Sequence, residues 1–245
     1  MIRASAVTFD LWDTLIQEYP GGPDRVASLR IERIGSLLSS RGIVHSSEEI
    51  GNAYRNTGAF LDMIWSKNRD MSVRDQVLFM LTSVDSRLPS KLKKEDLEEI
   101  VNAYSEAILD SPPRLLPGVI QALDDVKSKG FKIGLICNTG RTPGRMLRVV
   151  MTNLGILKYF DSTIFSNEIF VRKPSVPAFR TALDTLKVPA KQAVHVGDHP
   201  ENDILGARRA GMRAIQVLTD GYGPSQMADL HLRSLDQLTG KIERA

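Results

Sequence analysis

Hydrophobic positions along the chain follow two different rhythms. Near the N-terminus an apolar, β-branched run ends abruptly at Asp10, and an uninterrupted run of this kind predicts a buried strand over residues 4–9. From about residue 20 to 110 the spacing changes to that of helices. Val26, Leu29, Ile34, Leu37 and Leu38 recur at near-helical intervals after Gly21-Gly22-Pro23, and Gly42 is a plausible stop. Ser46-Ser47-Glu48-Glu49 is a capping-box pattern, which predicts a helix running to about Ser66. Ser72-Val73-Arg74-Asp75 opens a third helix. Leu97, Ile100, Val101, Tyr104 and Ile108 predict a fourth over Lys93–Leu109. No convincing strand falls in this stretch, and Ser111-Pro112-Pro113 marks a stiff break after it.

Beyond the break, helices alternate with short apolar strands. Helices are expected over Pro117–Lys129, Pro143–Leu154, Pro174–Lys187 and from about Glu201 to Ala210. Strands are expected over Phe131–Ile136, Ser162–Ser166, Gln192–Val196 and Arg213–Leu218. This alternation predicts βαβ units and a parallel sheet. The N-terminal strand joins that sheet, so the helical stretch is an insert. Residues 1–18 and 112–245 are expected to form the core and residues 19–111 the insert.

Bulk properties narrow the setting. A chain of 245 residues suits one core with an inserted subdomain. The net charge is only +3, and the densest basic group, Arg141, Arg145 and Arg148, is short. A nucleic-acid surface is therefore not indicated. Cys137 is the only cysteine, which excludes an intrachain disulfide and makes a reducing cytosol the natural setting. No apolar run approaches the roughly 18 residues that span a bilayer, and the N-terminus lacks a long apolar leader segment. The expectation is a cytoplasmic protein with no membrane partner.

Four clusters of reactive side chains fall at or near predicted strand ends: Asp10 to Thr14, Cys137-Asn138-Thr139-Gly140, Arg172-Lys173-Pro174, and Gly197-Asp198 through Asp203. C-terminal strand ends of a parallel sheet lie on one edge, so the four should converge there. A carboxylate in that place suits a nucleophile, although a lone strand-end aspartate more often caps a turn.

These clusters, in this order and with a helical insert between the first and second, resemble the haloacid dehalogenase superfamily over nearly the whole chain. The resemblance implies a Rossmann-like parallel sheet with helices on both faces and an inserted α-helical cap. It implies that Asp10 attacks the substrate and that Lys173 neutralises charge beside it. It implies a Mg²⁺ site made by Asp10, Asp198, Asp203 and the backbone carbonyl of Trp12, since Mg²⁺ takes a few hard oxygen ligands besides water and phosphate. Asp198 and Asp203 have helix capping as their plainer reading, and Lys173 that of a solvated lysine before a proline. Substrate contacts are expected from Cys137, Asn138, Thr139 and Thr14. Cys137 stands where the family has Ser or Thr, and a thiol is a weak donor, so the Asn138 N–H or the Thr139 hydroxyl is the substitute. Cys137 itself reads as a small buried residue. Thr14 is expected to stabilise the turn after Asp10. His45, His195, His199 and His231 are scattered, and Trp65 reads as core of the cap.

Trp12 departs from the family's phosphatases, which carry an aspartate two residues after the nucleophile. Tryptophan cannot move that proton, and losing general acid–base help costs on the order of 10² to 10⁴ in rate. Asp13 is one candidate substitute. The family's dehalogenases carry an aromatic residue here, because halide leaves unprotonated. Yet Asp198 and Asp203 would repel a haloacid anion unless a cation were present, and a divalent ion favours phosphate. The expected function is therefore a Mg²⁺-dependent phosphatase of a small phosphorylated metabolite, acting through an aspartyl-phosphate. A 2-haloacid dehalogenase and a catalytically weak binding or regulatory protein are the alternatives. A monomer and a homodimer fit equally well.

Overall fold

A computed structural model describes residues 1–245. The single strand expected over 4–9 is divided at Ser5. Its first half, β1 (Ile2–Ala4), pairs in parallel with β10 (Ile242–Arg244), beside the C-terminus. Its second half, β2 (Ala6–Phe9), is buried at every position and enters the main sheet. That sheet has six parallel strands in the order β6-β5-β2-β7-β8-β9, with β5 at Lys132–Cys137, β6 at Ser162–Phe165, β7 at Ala193–Gly197, β8 at Arg213–Val217 and β9 at Leu230–Leu232. β2 lies between β5 and β7, and Phe9 faces Leu135 on one side and Val196 on the other. This register brings the chain out of β2, β5 and β7 on one edge, so Asp10, Asn138 and Asp198 start within neighbouring turns.

Parallel strands buried on both faces need apolar helices on both faces. The helices α6 (Val119–Ser128) and α7 (Gly144–Asn153) cover one side through Leu123, Val126, Leu147 and Met151, which join a cluster with Val7, Phe9, Leu135 and Val196. After a one-turn α8 (Ser166–Ile169), the helices α9 (Val176–Leu186) and α10 (Gly206–Arg209) cover the other through Phe179, Ala182, Leu183 and Ala207.

The insert is wholly helical. It comprises α1 (Gly22–Ser39), α2 (Ser47–Trp65), α3 (Val73–Val84), a short α4 (Leu88–Lys91) and α5 (Lys94–Glu106), which ends in a 3₁₀ turn over Ala107–Asp110. The capping box at Ser46 forms as read: the Glu49 N–H donates to Ser46 Oγ at 3.2 Å, and the Ser46 N–H to the Glu49 carboxylate at 2.7 Å. Ser72 Oγ caps α3 by accepting from the Asp75 N–H. Ile34, Ile50, Val77, Met80, Ile100 and Tyr104 give the insert a core of its own. Each such buried side chain contributes about 1.5–3 kcal/mol. A two-residue pair, β3 (Ile16–Gln17) antiparallel to β4 (Arg114–Leu115), ties the passage into the insert to the passage out of it. Strands this short carry no periodicity to read. A second seam joins the insert to the core, where Val26, Ala107 and Ile108 pack on Met146 and Val150 of α7. No helix is long and apolar enough to cross a membrane.

Candidate active site

The converging strand ends build a buried charge cluster. Asp10 follows β2 directly and is 7% exposed. Lys173 Nζ donates to Asp10 Oδ1 at 2.5 Å and to Asp203 Oδ1 at 2.6 Å. Asp203 lies in a π-helical turn, Pro200–Leu205, where a plain α-helix was expected from about Glu201. The wider turn uses bonds from the Asp203 and Ile204 N–H groups to the His199 carbonyl, and it folds the Asp203 side chain back against the strand. Its Oδ2 accepts from the His199 N–H at 3.0 Å. Asp198 leaves β7 beside it. Its backbone carbonyl accepts from Gln216 Nε2, whereas its carboxylate accepts no hydrogen bond from the protein although the residue is 5% exposed. One oxygen from each of Asp10, Asp198 and Asp203 lies within 4.8 Å of the others.

Three carboxylates share one ammonium group, and their acidities separate accordingly. Burial pushes Asp10 up to about 6, with Asp203 adding to the rise and Lys173 opposing it. Burial, then the charges of Asp10 and Asp203, push Asp198 up to about 8. Burial would also raise Asp203, but Lys173 and His195 outweigh it and hold that carboxyl below the usual range. Asp203 wins because it has more donors. Burial opposes the charge on Lys173, and the two touching carboxylates overcome this and raise its pKa.

Close packing enforces this arrangement. A Cβ on Gly197 would stand 2.6 Å from the Cβ and Oδ2 of Asp203. Gly197→Ala is therefore expected to cost about 1–3 kcal/mol by overpacking. It should also lower turnover by about 10² because Asp203 must move. Urea unfolding and initial rates check both, and a variant with native turnover would show that the position of Asp203 is not critical.

The other expected contact residues are placed as follows. Cys137 is buried at the end of β5, and burial followed by the Asp10 charge pushes its thiol up, so it is neutral. The Asn138 side chain forms a ring with the Lys173 backbone, its Nδ2 donating to the Lys173 carbonyl at 3.0 Å and its Oδ1 accepting from the Lys173 N–H at 2.8 Å. The Asn138 N–H itself donates to no protein acceptor. Thr139 is fully buried, and its hydroxyl is committed to Asp70 and Ser166. The Thr14 hydroxyl is buried without a partner, contrary to the expectation that it stabilises the turn. The turn is held instead by backbone bonds, from the Leu15 and Ile16 N–H groups to the Leu11 carbonyl and from the Asp13 N–H to the Ile16 carbonyl.

Trp12 is half-buried and faces the seam between insert and core. With Asp13, Glu18, Arg30, Tyr54, Trp65 and Arg141 it lines a cavity of about 470 Å³. Trp65, read as cap core, belongs to this wall; its Nε1 donates to Asp70 at 3.2 Å. Asp13 takes a left-handed backbone conformation (φ 55°). Arg141, Arg145 and Arg148 are spent on contacts within the protein, with Tyr54 and Tyr104, with Asn102, and with Glu168 respectively.

Two residues of the surroundings escaped the sequence reading. His195 is buried in β7, with Nδ1 2.8 Å from Thr8 Oγ1 and Nε2 3.1 Å from Asp203 Oδ1. Burial lowers its pKa, and the bonding pattern fits a neutral ring with the proton on Nε2. The available signal was a polar residue in an otherwise apolar strand, two residues before Gly197. Asp70 gave no such signal.

Comparison with known proteins identifies the family. The family model for haloacid dehalogenase-like hydrolases matches residues 4–211, and the chain belongs to that family of enzymes. The haloacid dehalogenase-like hydrolase domain-containing protein 3 of Xenopus laevis is 31% identical over 219 residues, covering 86% of this chain and 83% of that one. Among solved structures, a 2-haloacid dehalogenase from Pseudomonas syringae pv. Tomato DC3000 superposes with a TM-score of 0.69 at 25% identity, over 98% of this chain and 97% of that one. A HAD phosphatase from Thermococcus onnurineus gives a TM-score of 0.62 at 25% identity, over 97% of each chain.

Proposed function

We propose that this hydrolase is a divalent-metal-dependent phosphatase of small phosphorylated molecules, with residues 19–111 as the cap over a core of 1–18 and 112–245. The carrying observation is the group of three buried carboxylates within 4.8 Å of one another, set against a single lysine. If all are ionised the group holds two surplus negative charges. A haloacid anion would add a third, whereas a cation bound there would neutralise the site and attract phosphate. The residues suit Mg²⁺: they are hard oxygen donors, and the Asp198 carboxylate has no protein partner. Asp10, Asp198, Asp203 and the Trp12 carbonyl would hold the ion, which supplies charge neutralisation at the phosphoryl oxygens.

In this reading Asp10 attacks phosphorus through the oxygen not paired with Lys173. The P–O bond to the leaving group breaks and an aspartyl-phosphate forms on Asp10. Water then cleaves that acyl phosphate and regenerates the carboxylate. Lys173 keeps Asp10 in place, and the free Asn138 N–H is a candidate donor to a phosphoryl oxygen. Trp12 offers no proton to the leaving group, so substrates with acidic leaving groups, acyl or aryl phosphates, should turn over best. A dehalogenase remains the second reading because Trp12 and the Pseudomonas structure favour it.

The test is hydrolysis of p-nitrophenyl phosphate with and without Mg²⁺, beside chloride release from 2-chloropropionate in EDTA. Mg²⁺-dependent phosphate release is the expected result. Chloride release without metal, in the absence of phosphatase activity, would overturn it. A pH dependence follows. Asp198 at about 8 must lose its proton to ligate, so apparent Mg²⁺ affinity should rise by up to about tenfold per pH unit toward pH 8 and then level off. Calorimetric titration at pH 6, 7 and 8 checks this, and a flat profile would remove Asp198 from the ligand set.

A further inference from the structure

Four aspartates of this chain are buried, and three of them form the cluster. The fourth, Asp70, lies in the short connection between α2 and α3, and its side chain has no exposure at all. A buried carboxylate is costly unless its oxygens are satisfied, and here five donors reach it. Trp65 Nε1 and the Met71 N–H serve Oδ1 at 3.2 and 2.8 Å. Ser166 Oγ, Arg172 Nη1 and Thr139 Oγ1 serve Oδ2 at 2.5, 2.9 and 3.2 Å. The first two donors belong to the cap, and the other three to the core.

Arg172 is the hub on the core side. The same Nη1 also donates to the Thr139 carbonyl at 2.5 Å, and the guanidinium lies 4.5 Å from the centre of the Trp65 ring. The Arg172 N–H donates to the Asn68 carbonyl at 3.0 Å, and the Asp70 N–H to the Phe170 carbonyl at 3.2 Å, so the backbones are stitched as well. The next residue is Lys173. Its backbone is clasped from the other side by Asn138, and its Nζ reaches Asp10 and Asp203. One carboxylate on the cap therefore fixes the residue before the lysine and the Thr139 turn after β5 together.

We propose that Asp70 is a positioning residue that makes the placement of Lys173 and Thr139 depend on the cap being seated. This rests on the phosphatase reading for its kinetic consequence. When the cap lifts, Oδ2 loses three core donors at once and Arg172 loses both its counter-charge and its aromatic partner. The segment carrying Lys173 then keeps only its core contacts: Asn138 on the Lys173 backbone, Arg172 on the Thr139 carbonyl, and Nζ on Asp10 and Asp203. The full arrangement around Asp10 exists only in the closed form, which couples closure to chemistry.

The test compares Asp70→Asn with Arg145→Ala, which removes a cap–core contact to Asn102 remote from this network. Both are assayed with p-nitrophenyl phosphate and Mg²⁺, and both are followed by amide hydrogen exchange over residues 166–173. Asp70→Asn is expected to lower kcat by about 10- to 100-fold with KM nearly unchanged, and to speed exchange in that segment. Arg145→Ala should move neither. Ser166→Ala, which strands no charge, should shift both readouts in the same direction by less, and it serves if Asp70→Asn fails to fold. Native kcat and exchange in the folded variants, or equal losses in Arg145→Ala, would overturn the proposal. If the wild-type protein turns over no phosphate ester, the phosphatase reading fails by itself, and the exchange data still decide whether Asp70 holds the segment.

Discussion

Asparagine in place of Asp10 is expected to reduce Mg²⁺-dependent hydrolysis by on the order of 10⁴-fold or more, because the nucleophile is gone and only orientation and charge remain. The variant should fold, since Asn matches Asp in size and Lys173 keeps Asp203 as a partner at 2.6 Å. Its stability carries a second signature. Burial raises the Asp10 carboxyl from its ordinary 3.8 to about 6, further lifted by Asp203 and opposed by Lys173. A group raised on folding favours the folded state below its unfolded pKa, and that contribution is lost as pH rises through the folded pKa. The charge of Asp10 therefore opposes folding most above pH 6, so the stability of Asp10→Asn relative to wild type should improve between pH 4 and pH 8. Initial rates and urea unfolding in EDTA measure both. A rate within about tenfold of wild type would show that another group attacks.

Lys173→Met should have the largest effect on stability. The ammonium is the only cation touching Asp10 and Asp203, and methionine of similar length leaves both carboxylates buried without a counter-charge, Asp203 keeping only its bonds from His195 and the His199 N–H. Breaking a buried pair from one side costs about 3–5 kcal/mol. The pH dependence fixes the cause. Lys173 holds Asp203 below its ordinary range, against the upward push of burial, and an acid lowered on folding stabilises above its unfolded pKa and loses that contribution as pH falls. Without the lysine, burial pushes the stranded carboxyls up, so the deficit of the variant should be greatest near pH 8 and shrink as falling pH protonates them, while the part due to the lowering of Asp203 persists until pH drops below its ordinary 3.8. Added Mg²⁺ should recover part of it at pH 8. Activity should fall with it, since Asp10 loses its only side-chain donor. A deficit below about 1 kcal/mol, the range of an exposed ion pair, would mean that the site does not depend on the lysine.

The local readings succeeded where a few neighbouring residues decide the outcome. The capping box at Ser46 and the cap at Ser72 need only residues three positions apart, and both form. The strand runs at Ala6–Phe9, Ile133–Cys137 and Ala193–Gly197 are buried on both faces and mostly apolar, and that is visible in a short window of the chain. Elements of two or three residues, such as β3, β4 and β9, were not legible, because their pairing is set by partners far along the chain. The turn after Asp10 shows a different failure. A threonine suggested side-chain support, yet backbone bonds hold that turn and the Thr14 hydroxyl is idle.

Family membership and the order of the strands and helices that carry the four clusters were legible from the chain alone, and the three carboxylates and the lysine could be named there as candidates, because each lies at or soon after a strongly patterned segment. Tertiary structure alone decided how those charges share protons. Lys173 touches Asp10 and Asp203 across separations of 163 and 30 residues, and His195 completes Asp203 through a turn whose π-helical width no local pattern announces. It also brought Asp70 against core residues 69 to 102 positions away and Trp65 against Arg172. The physical reason is range. Periodicity and capping act within one or two turns, whereas Coulomb energy and burial depend on which distant segments meet.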